Sequence, residues 1–206
     1  MTKEKLHPIK DWKQIAKISM QDPNSWIKVL IIHIVLSSII SGMAGILSGW
    51  FVIPSLAVLG NHILLGIGGG LIILLTSQVL NLFPVAKQFS KEMREIYGVP
   101  TIGSCFSKAT SSGIGEEVLI RGTLLPLLGI LPSTIIFALI HVVPDLRCLY
   151  HVAWTFIVGI FLGGLFIYTG SLIAPIVAHF TNNLIAFLYI RHKIIKEGKE
   201  VFESCK

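Results

Sequence analysis

The chain has 206 residues, 53% of them hydrophobic and only 14% charged, with a net charge of +6 and a mean hydropathy of +0.77. Soluble domains carry roughly one-quarter charged residues. The composition therefore argues against a disordered segment, a nucleic-acid module or a secreted disulfide scaffold, and it points to an integral membrane protein.

Residues 1–28 form a basic leader with Lys3, Lys5, Lys10, Lys13, Lys17 and Lys28. So long a polar stretch before an extended apolar run argues against a cleavable signal. Ile9, Trp12, Ile15 and Ala16 share one helical face and Lys10, Lys13 and Lys17 another, a pattern suited to a helix lying on an anionic leaflet. A solvated leader is the alternative. Asp22-Pro23-Asn24-Ser25 breaks this helix before the membrane.

Six apolar segments follow, over residues 29–53, 63–83, 113–129, 131–143, 152–169 and 172–190. A spanning helix needs about 20 apolar residues, so 131–143 is short and could instead be re-entrant. Four basic residues lie between Lys87 and Lys108, one is Arg147, and five follow residue 190. The connections near 54–62, 130 and 170 carry no Lys or Arg. With six crossings, every basic residue except Arg121 falls on one side, as the positive-inside rule requires. The expectation is an all-α, polytopic membrane helix bundle of about six transmembrane helices with both termini cytoplasmic.

The organisation in chain order is a leader (1–28), two transmembrane helices (29–86), a basic cytoplasmic loop (87–112), a helical core (113–190) and a basic tail (191–206). Within the loop, Phe89, Met93 and Ile96 oppose Lys91 and Arg94, repeating the amphipathic theme, and Val99-Pro100 closes that helix. Cys105, Cys148 and Cys205 are isolated and face the reducing side, so disulfides are not expected. Gly45-x-x-x-Gly49 and Gly159-x-x-x-Gly163 permit close helix approach.

Ionisable residues at membrane depth cost about 2.5–3.5 kcal/mol on insertion scales and are functional candidates by default. The third segment holds Glu116, Glu117 and Arg121. Glu117 and Arg121, four apart, can pair on one helical face. Glu116 is displaced by about 100° and has no basic partner on its own helix. A desolvated carboxylate of this kind suits a general base, and a first-turn carboxylate complementing the helix dipole is the alternative. His141 ends the fourth segment at a depth close to that of Glu116, and an interfacial histidine is the alternative. His151 fits an interfacial role better, and His33 fits packing. In the sixth segment His179 and Asn183 project from one face a turn apart. Imidazole and carboxamide can donate to a developing oxyanion, or clasp a neighbouring helix. Together these residues comprise the parts needed for hydrolysis: a base, a water-positioner and oxyanion donors.

Glu116-Glu117-x-x-x-Arg121, Phe137-x-x-x-His141 and His179-x-x-x-Asn183, in this order, resemble the three motifs of the CPBP family of CAAX proteases and bacteriocin-processing enzymes. That family is also called ABI and is related to the type II CAAX prenyl endopeptidase. The run Tyr168-Thr169-Gly170-Ser171-Leu172-Ile173-Ala174-Pro175-Ile176-Val177-Ala178-His179 is similar to the stretch before the family's third motif. The resemblance covers residues 100–190 and leaves the first two crossings outside.

It implies an intramembrane endopeptidase of the cell membrane whose site opens to the cytoplasm. Glu116 would activate water with help from His141, His179 and Asn183 would stabilise the oxyanion, and Glu117 and Arg121 would support them. A glutamate mechanism without metal is expected, since no H-E-x-x-H pair is present. Zn²⁺ held by Glu116, His141 and His179 is the metal-dependent alternative, with Glu117 then acting as base. The expected partners are a peptide or membrane-protein substrate and anionic lipid headgroups, with no nucleic acid. Two competing functions are a non-catalytic immunity or scaffold protein that binds a peptide, and an ion or proton pathway.

Overall fold

The structure, a computed structural model, describes residues 24–44, 55–143, 145 and 148–204, together with Gln14 and Lys17. The amphipathic face of the leader, Gly45-x-x-x-Gly49, residues 45–53 of the first apolar segment, Arg147 and Cys205 lie outside the described residues. Among the described residues all regular structure is helical. The elements are α1 (Ser25–Ala44), α2 (Leu56–Leu80), α3 (Pro84–Tyr97) and α4 (Ile102–Glu117). A π-helical turn, π1 (Val118–Leu124), continues α4 into the short α5 (Leu125–Leu128), followed by α6 (Ile130–Leu139), α7 (Leu149–Thr169) and α8 (Ile173–Ser204). Three helical stretches are long and apolar enough to cross a membrane, Leu56–Leu80, Leu149–Thr169 and Ile173–Glu197, while Ser25–Ile40 and Ile130–Leu139 are shorter apolar helices.

Packing in α2 is inside-out relative to a soluble helix. Its buried positions are His62, Gly66, Gly69, Gly70 and Ile73, whereas Leu64, Leu75 and Val79 point outward. With lipid outside, large apolar side chains lose nothing by facing it, and small residues let helix backbones approach. A Cβ on Gly66 would lie 2.8 Å from the Ala174 carbonyl oxygen, and one on Gly70 would lie 2.6 Å from that of Ala178. The rising register on both helices shows that α2 and α8 run in the same direction. This small-residue stripe, Gly66-x-x-x-Gly70 against Ala174-x-x-x-Ala178, was not singled out in the sequence. Gly159-x-x-x-Gly163 was, and it packs α7 antiparallel against α6, with Thr134 and Phe137 facing Gly159 and Ile130 facing Gly163.

α1 runs parallel to α4: Ser111 Oγ donates to the Trp26 carbonyl at 2.7 Å, and His33 packs against Gly115. α8 runs antiparallel to α4, with Arg191 donating to the Pro100 carbonyl at 2.7 Å.

Element boundaries depart from the hydropathy reading in four places. α4 begins at Ile102, eleven residues before the expected crossing, because Thr101 caps it by accepting from the Ser104 N–H at 3.1 Å. The expected loop 87–112 is therefore largely helical. Its α3, opened by Pro84 in the first turn and closed at Gly98 (φ +61°), turns Phe89 and Ile96 into the protein and not toward a leaflet. Phe89 meets Tyr150 edge-on at 5.7 Å. α6 spans only ten residues, and Gly129, at φ +83°, makes the one-residue junction that separates it from α5. α8 continues to Ser204 through the expected tail.

One buried cation joins several of these helices. Arg121, 1% exposed, donates from Nη1 to Glu117 Oε1 at 3.0 Å, a carboxylate with no solvent exposure. Its Nη2 donates to the Gly159 carbonyl at 2.9 Å, and its guanidinium lies 4.5 Å over the Phe137 ring. A Cβ on Gly159 would come within 2.6 Å of Thr134 Cγ2, so glycine there is what lets α7 present its carbonyl to the cation.

Two stability predictions follow from this packing, both read as thermal unfolding midpoints in detergent. Gly70→Ala lowers stability by about 1–3 kcal/mol through overpacking, while Gly68→Ala, with nothing within 4 Å of its Cβ, leaves the midpoint unchanged or slightly raised. Glu117→Leu costs about 3–5 kcal/mol by stranding the buried Arg121, and adding Arg121→Met recovers most of that loss.

Candidate active site

Two glycines bring the neighbouring helices against the carboxylates of α4. A Cβ on Gly113 would lie 3.2 Å from the Phe180 backbone nitrogen, and one on Gly115 would lie 3.1 Å from His33 Cβ. α8 and α1 can therefore close in on the turn that bears Glu116 and Glu117.

Glu117 faces the buried cation and also holds a histidine. His179 Nδ1 lies 2.8 Å from Glu117 Oε1, the same oxygen that accepts from Arg121. A carboxylate can only accept, so the proton of this bond sits on Nδ1 and the ring presents Nε2 to the other side. The Glu117–Arg121 pairing was expected from the sequence. The bond to His179 was not, because it joins residues 62 apart in the chain.

Glu116 faces the opposite way. Its side chain is 13% exposed, and its Oε2 stands 3.7 Å from His141 Nε2 and 3.9 Å from His179 Nε2. That oxygen is buried and has no hydrogen-bond partner among the described residues, the orphan condition that native proteins rarely leave without a use. His141 sits just beyond the last residue of α6 and donates from Nδ1 to the Phe137 carbonyl at 2.7 Å. Its Nε2 is thereby aimed at Glu116. Two histidines from different helices thus present the same ring nitrogen to one carboxylate oxygen.

Asn183 lies one turn along α8 from His179, as the spacing required. Its Nδ2 donates to Ser112 Oγ at 2.8 Å, and its Oδ1 accepts from Asn182 Nδ2 at 2.9 Å. Neither Ser112 nor Asn182 was a sequence candidate. The available signal was position alone, since Ser112 stands one turn before Glu116. His151 lines the same cavity, its ring 6.1 Å from that of His141 and 5.7 Å from that of Phe89. His33 donates to the Val29 carbonyl at 2.8 Å and wedges against Gly115, in agreement with a packing role.

A cavity of about 860 Å³ reaches Ser112, Glu116, His141, His179 and Asn183, and its remaining walls come largely from α1, α2, α3 and α7. Its size suits a short peptide segment or a similarly sized ligand. Zinc ligands must all lie about 2.0–2.2 Å from one point. Among the described residues no group of three His, Cys, Asp or Glu side chains is arranged to hold a metal ion, so Glu116, His141 and His179 do not fit as a zinc set.

Residues 99–185 match the family described as type II CAAX prenyl endopeptidase, Rce1-like. The chain is also 29% identical over 214 residues to the sporulation-killing factor biosynthesis protein SkfC of Bacillus subtilis. That alignment covers 86% of this chain and 41% of the relative, so the chain spans about two fifths of the relative's length. No solved structure matches the chain. Among the described residues three helices are long and apolar enough to cross a membrane, and the three motifs fall inside residues 99–185, the segment through which the chain is similar to the Rce1-like type II CAAX prenyl endopeptidases.

Proposed function

We propose that the chain hydrolyses a peptide bond within the membrane, close to its cytoplasmic face, by a glutamate-activated water. The observation that carries this reading is the buried, unpartnered Oε2 of Glu116 between the Nε2 atoms of His141 and His179 at the wall of a large cavity.

In the reaction, water bound between Glu116 and His141 attacks the scissile carbonyl carbon and gives its proton to Glu116. His141, its Nδ1–H held by the Phe137 carbonyl, accepts the water's second hydrogen bond at Nε2 and fixes its direction of attack. The carbonyl oxygen becomes an oxyanion. His179, with Nδ1–H held by Glu117 and Nε2 also protonated, donates to that oxyanion together with Asn183 Nδ2. Collapse breaks the C–N bond, and the proton on Glu116 passes to the leaving amine. Glu117 and Arg121 touch no reacting atom and hold His179 in place. No step requires a metal.

The positive-inside pattern supports six crossings in the cell membrane, with both termini and the mouth of the site cytoplasmic. The basic leader and Lys87, Lys91 and Arg94 of α3 suit contact with anionic headgroups. The substrate is a peptide or the tail of a membrane protein. The Bacillus relative is named for the biosynthesis of a sporulation-killing factor, which favours a processing step over an ion pathway for this chain.

The test is cleavage of a quenched peptide library, with and without prenylated C-termini, by the purified protein in detergent. Glu116→Gln and His179→Ala each reduce turnover by at least about 100-fold, and chelator leaves the wild-type rate unchanged. Full activity of Glu116→Gln overturns the mechanism. Activity lost to chelator and restored by Zn²⁺ replaces it with a metal-dependent one.

A further inference from the structure

A carboxamide has a donor end and an acceptor end of nearly the same shape, so an asparagine serves an oxyanion only if something decides which end faces the substrate. Around Asn183 that decision is made by two neighbours. Ser112 Oγ donates to the Lys108 carbonyl at 3.0 Å, with the Ala109 carbonyl at 3.4 Å. Its hydroxyl proton is committed to its own helix, and only its lone pairs face Asn183. The Nδ2 end of Asn183 meets that lone pair at 2.8 Å, while its Oδ1 end is taken by the Asn182 amide at 2.9 Å. A flipped Asn183 would set its oxygen against the Ser112 oxygen and its NH₂ against the Asn182 NH₂. Both contacts would then be repulsive unless the two neighbours turned as well.

This arrangement uses one of the two N–H bonds of Asn183 and, among the described residues, leaves the second for a ligand in the cavity. Ser112, Asn182 and Asn183 all line the cavity that Glu116 and His179 reach. We infer that Ser112 and Asn182 are positioning residues that lock the Asn183 carboxamide with its free N–H toward the reacting carbonyl. The inference rests on the protease reading given above. It gives a function to a serine in the turn before the first motif and to an asparagine at one of the open positions within the third.

The arrangement makes the effect of Ser112 conditional on Asn183, which is what separates orientation from simple packing. Cleavage is measured for wild type, Ser112→Ala, Asn183→Ala and the double variant, with Glu116→Gln as the inactive control. Loss of an oxyanion donor costs about 10²–10³ in kcat. Ser112→Ala, which frees the carboxamide to flip but does not remove it, is expected to lose about 10-fold in kcat with KM within about two-fold. In the Asn183→Ala background the same change is expected to cost nothing further. Ser112→Thr, which keeps a hydroxyl able to bond the carbonyl one turn back, retains most of the wild-type rate. Asn182→Asp, whose carboxylate cannot donate to Asn183 Oδ1, loses about as much as Ser112→Ala.

An active wild type with Ser112→Ala at full kcat would overturn the inference and leave the protease reading standing. So would an equal loss in both backgrounds, which would mark Ser112 as a packing residue. A wild type that cleaves nothing in the library, or a Glu116→Gln variant that cleaves normally, would overturn the protease reading and this inference with it.

Discussion

A guanidinium buried among apolar helices dictates much of what surrounds it. Arg121 cannot shed its charge, so the bundle must supply a carboxylate, a backbone carbonyl and an aromatic face within reach. Glu117, Gly159 and Phe137 meet those needs from α4, α7 and α6. Each of the three is constrained in turn. Position 159 must be glycine for its carbonyl to approach, and Phe137 must stack where its own carbonyl also anchors His141. The residue that holds the helices together is thus one bond away from the chemistry on two sides, through Glu117 to His179 and through Phe137 to His141.

The two adjacent glutamates illustrate how environment divides labour between identical side chains. Glu117 uses one oxygen to accept from both a cation and an imidazole in a dry site. Both side chains keep a buried Oε2 with no hydrogen-bond partner among the described residues, but of the two it is Glu116, about 100° around the helix, that lines the cavity. A carboxylate tied to a buried cation and shut away from the cavity cannot reach a ligand, whereas one at the cavity wall can accept a hydrogen bond from whatever enters. The π-helical turn begins immediately after this pair. The widened turn is satisfied by bonds five residues back, from the Thr123 hydroxyl to Val118 and from the Leu125 N–H to Ile120, and such turns recur at functional sites.

Charge and hydropathy were enough to read an all-helical chain with apolar spanning segments, and the three motifs were enough to point to the family whose description matches residues 99–185. Those signals are local: an ionisable residue inside an apolar run stands out whatever surrounds it, and a four-residue spacing fixes a shared helical face. Contacts between distant helices were not legible. That Glu117 would hold His179, or that Ser112 would receive Asn183, depends on how α4 and α8 cross, which no single helix encodes. The role of Gly66 and Gly70 depends on the facing backbone of Ala174 and Ala178, a partner that the spacing of the glycines does not reveal. The ends of α4 and α3 were misjudged for a different reason. Capping by Thr101 and the Pro84 start extend helices into polar sequence that a hydrophobic window scores as loop.

The cavity has a mixed ancestry. Its reactive wall is built from α4, α6 and α8, within the segment that matches the family, whereas Trp26, Val29 and Ile32 of α1, Ile73 of α2 and Phe89 and Met93 of α3 come from outside it. The polar centre thus lies in the matched segment, while the outline of the cavity is shared between α7 inside it and α1, α2 and α3 outside it. A chain that kept Glu116, His141, His179 and Asn183 but exchanged α1, α2 and α3 would offer the same polar centre to a ligand space of a different outline.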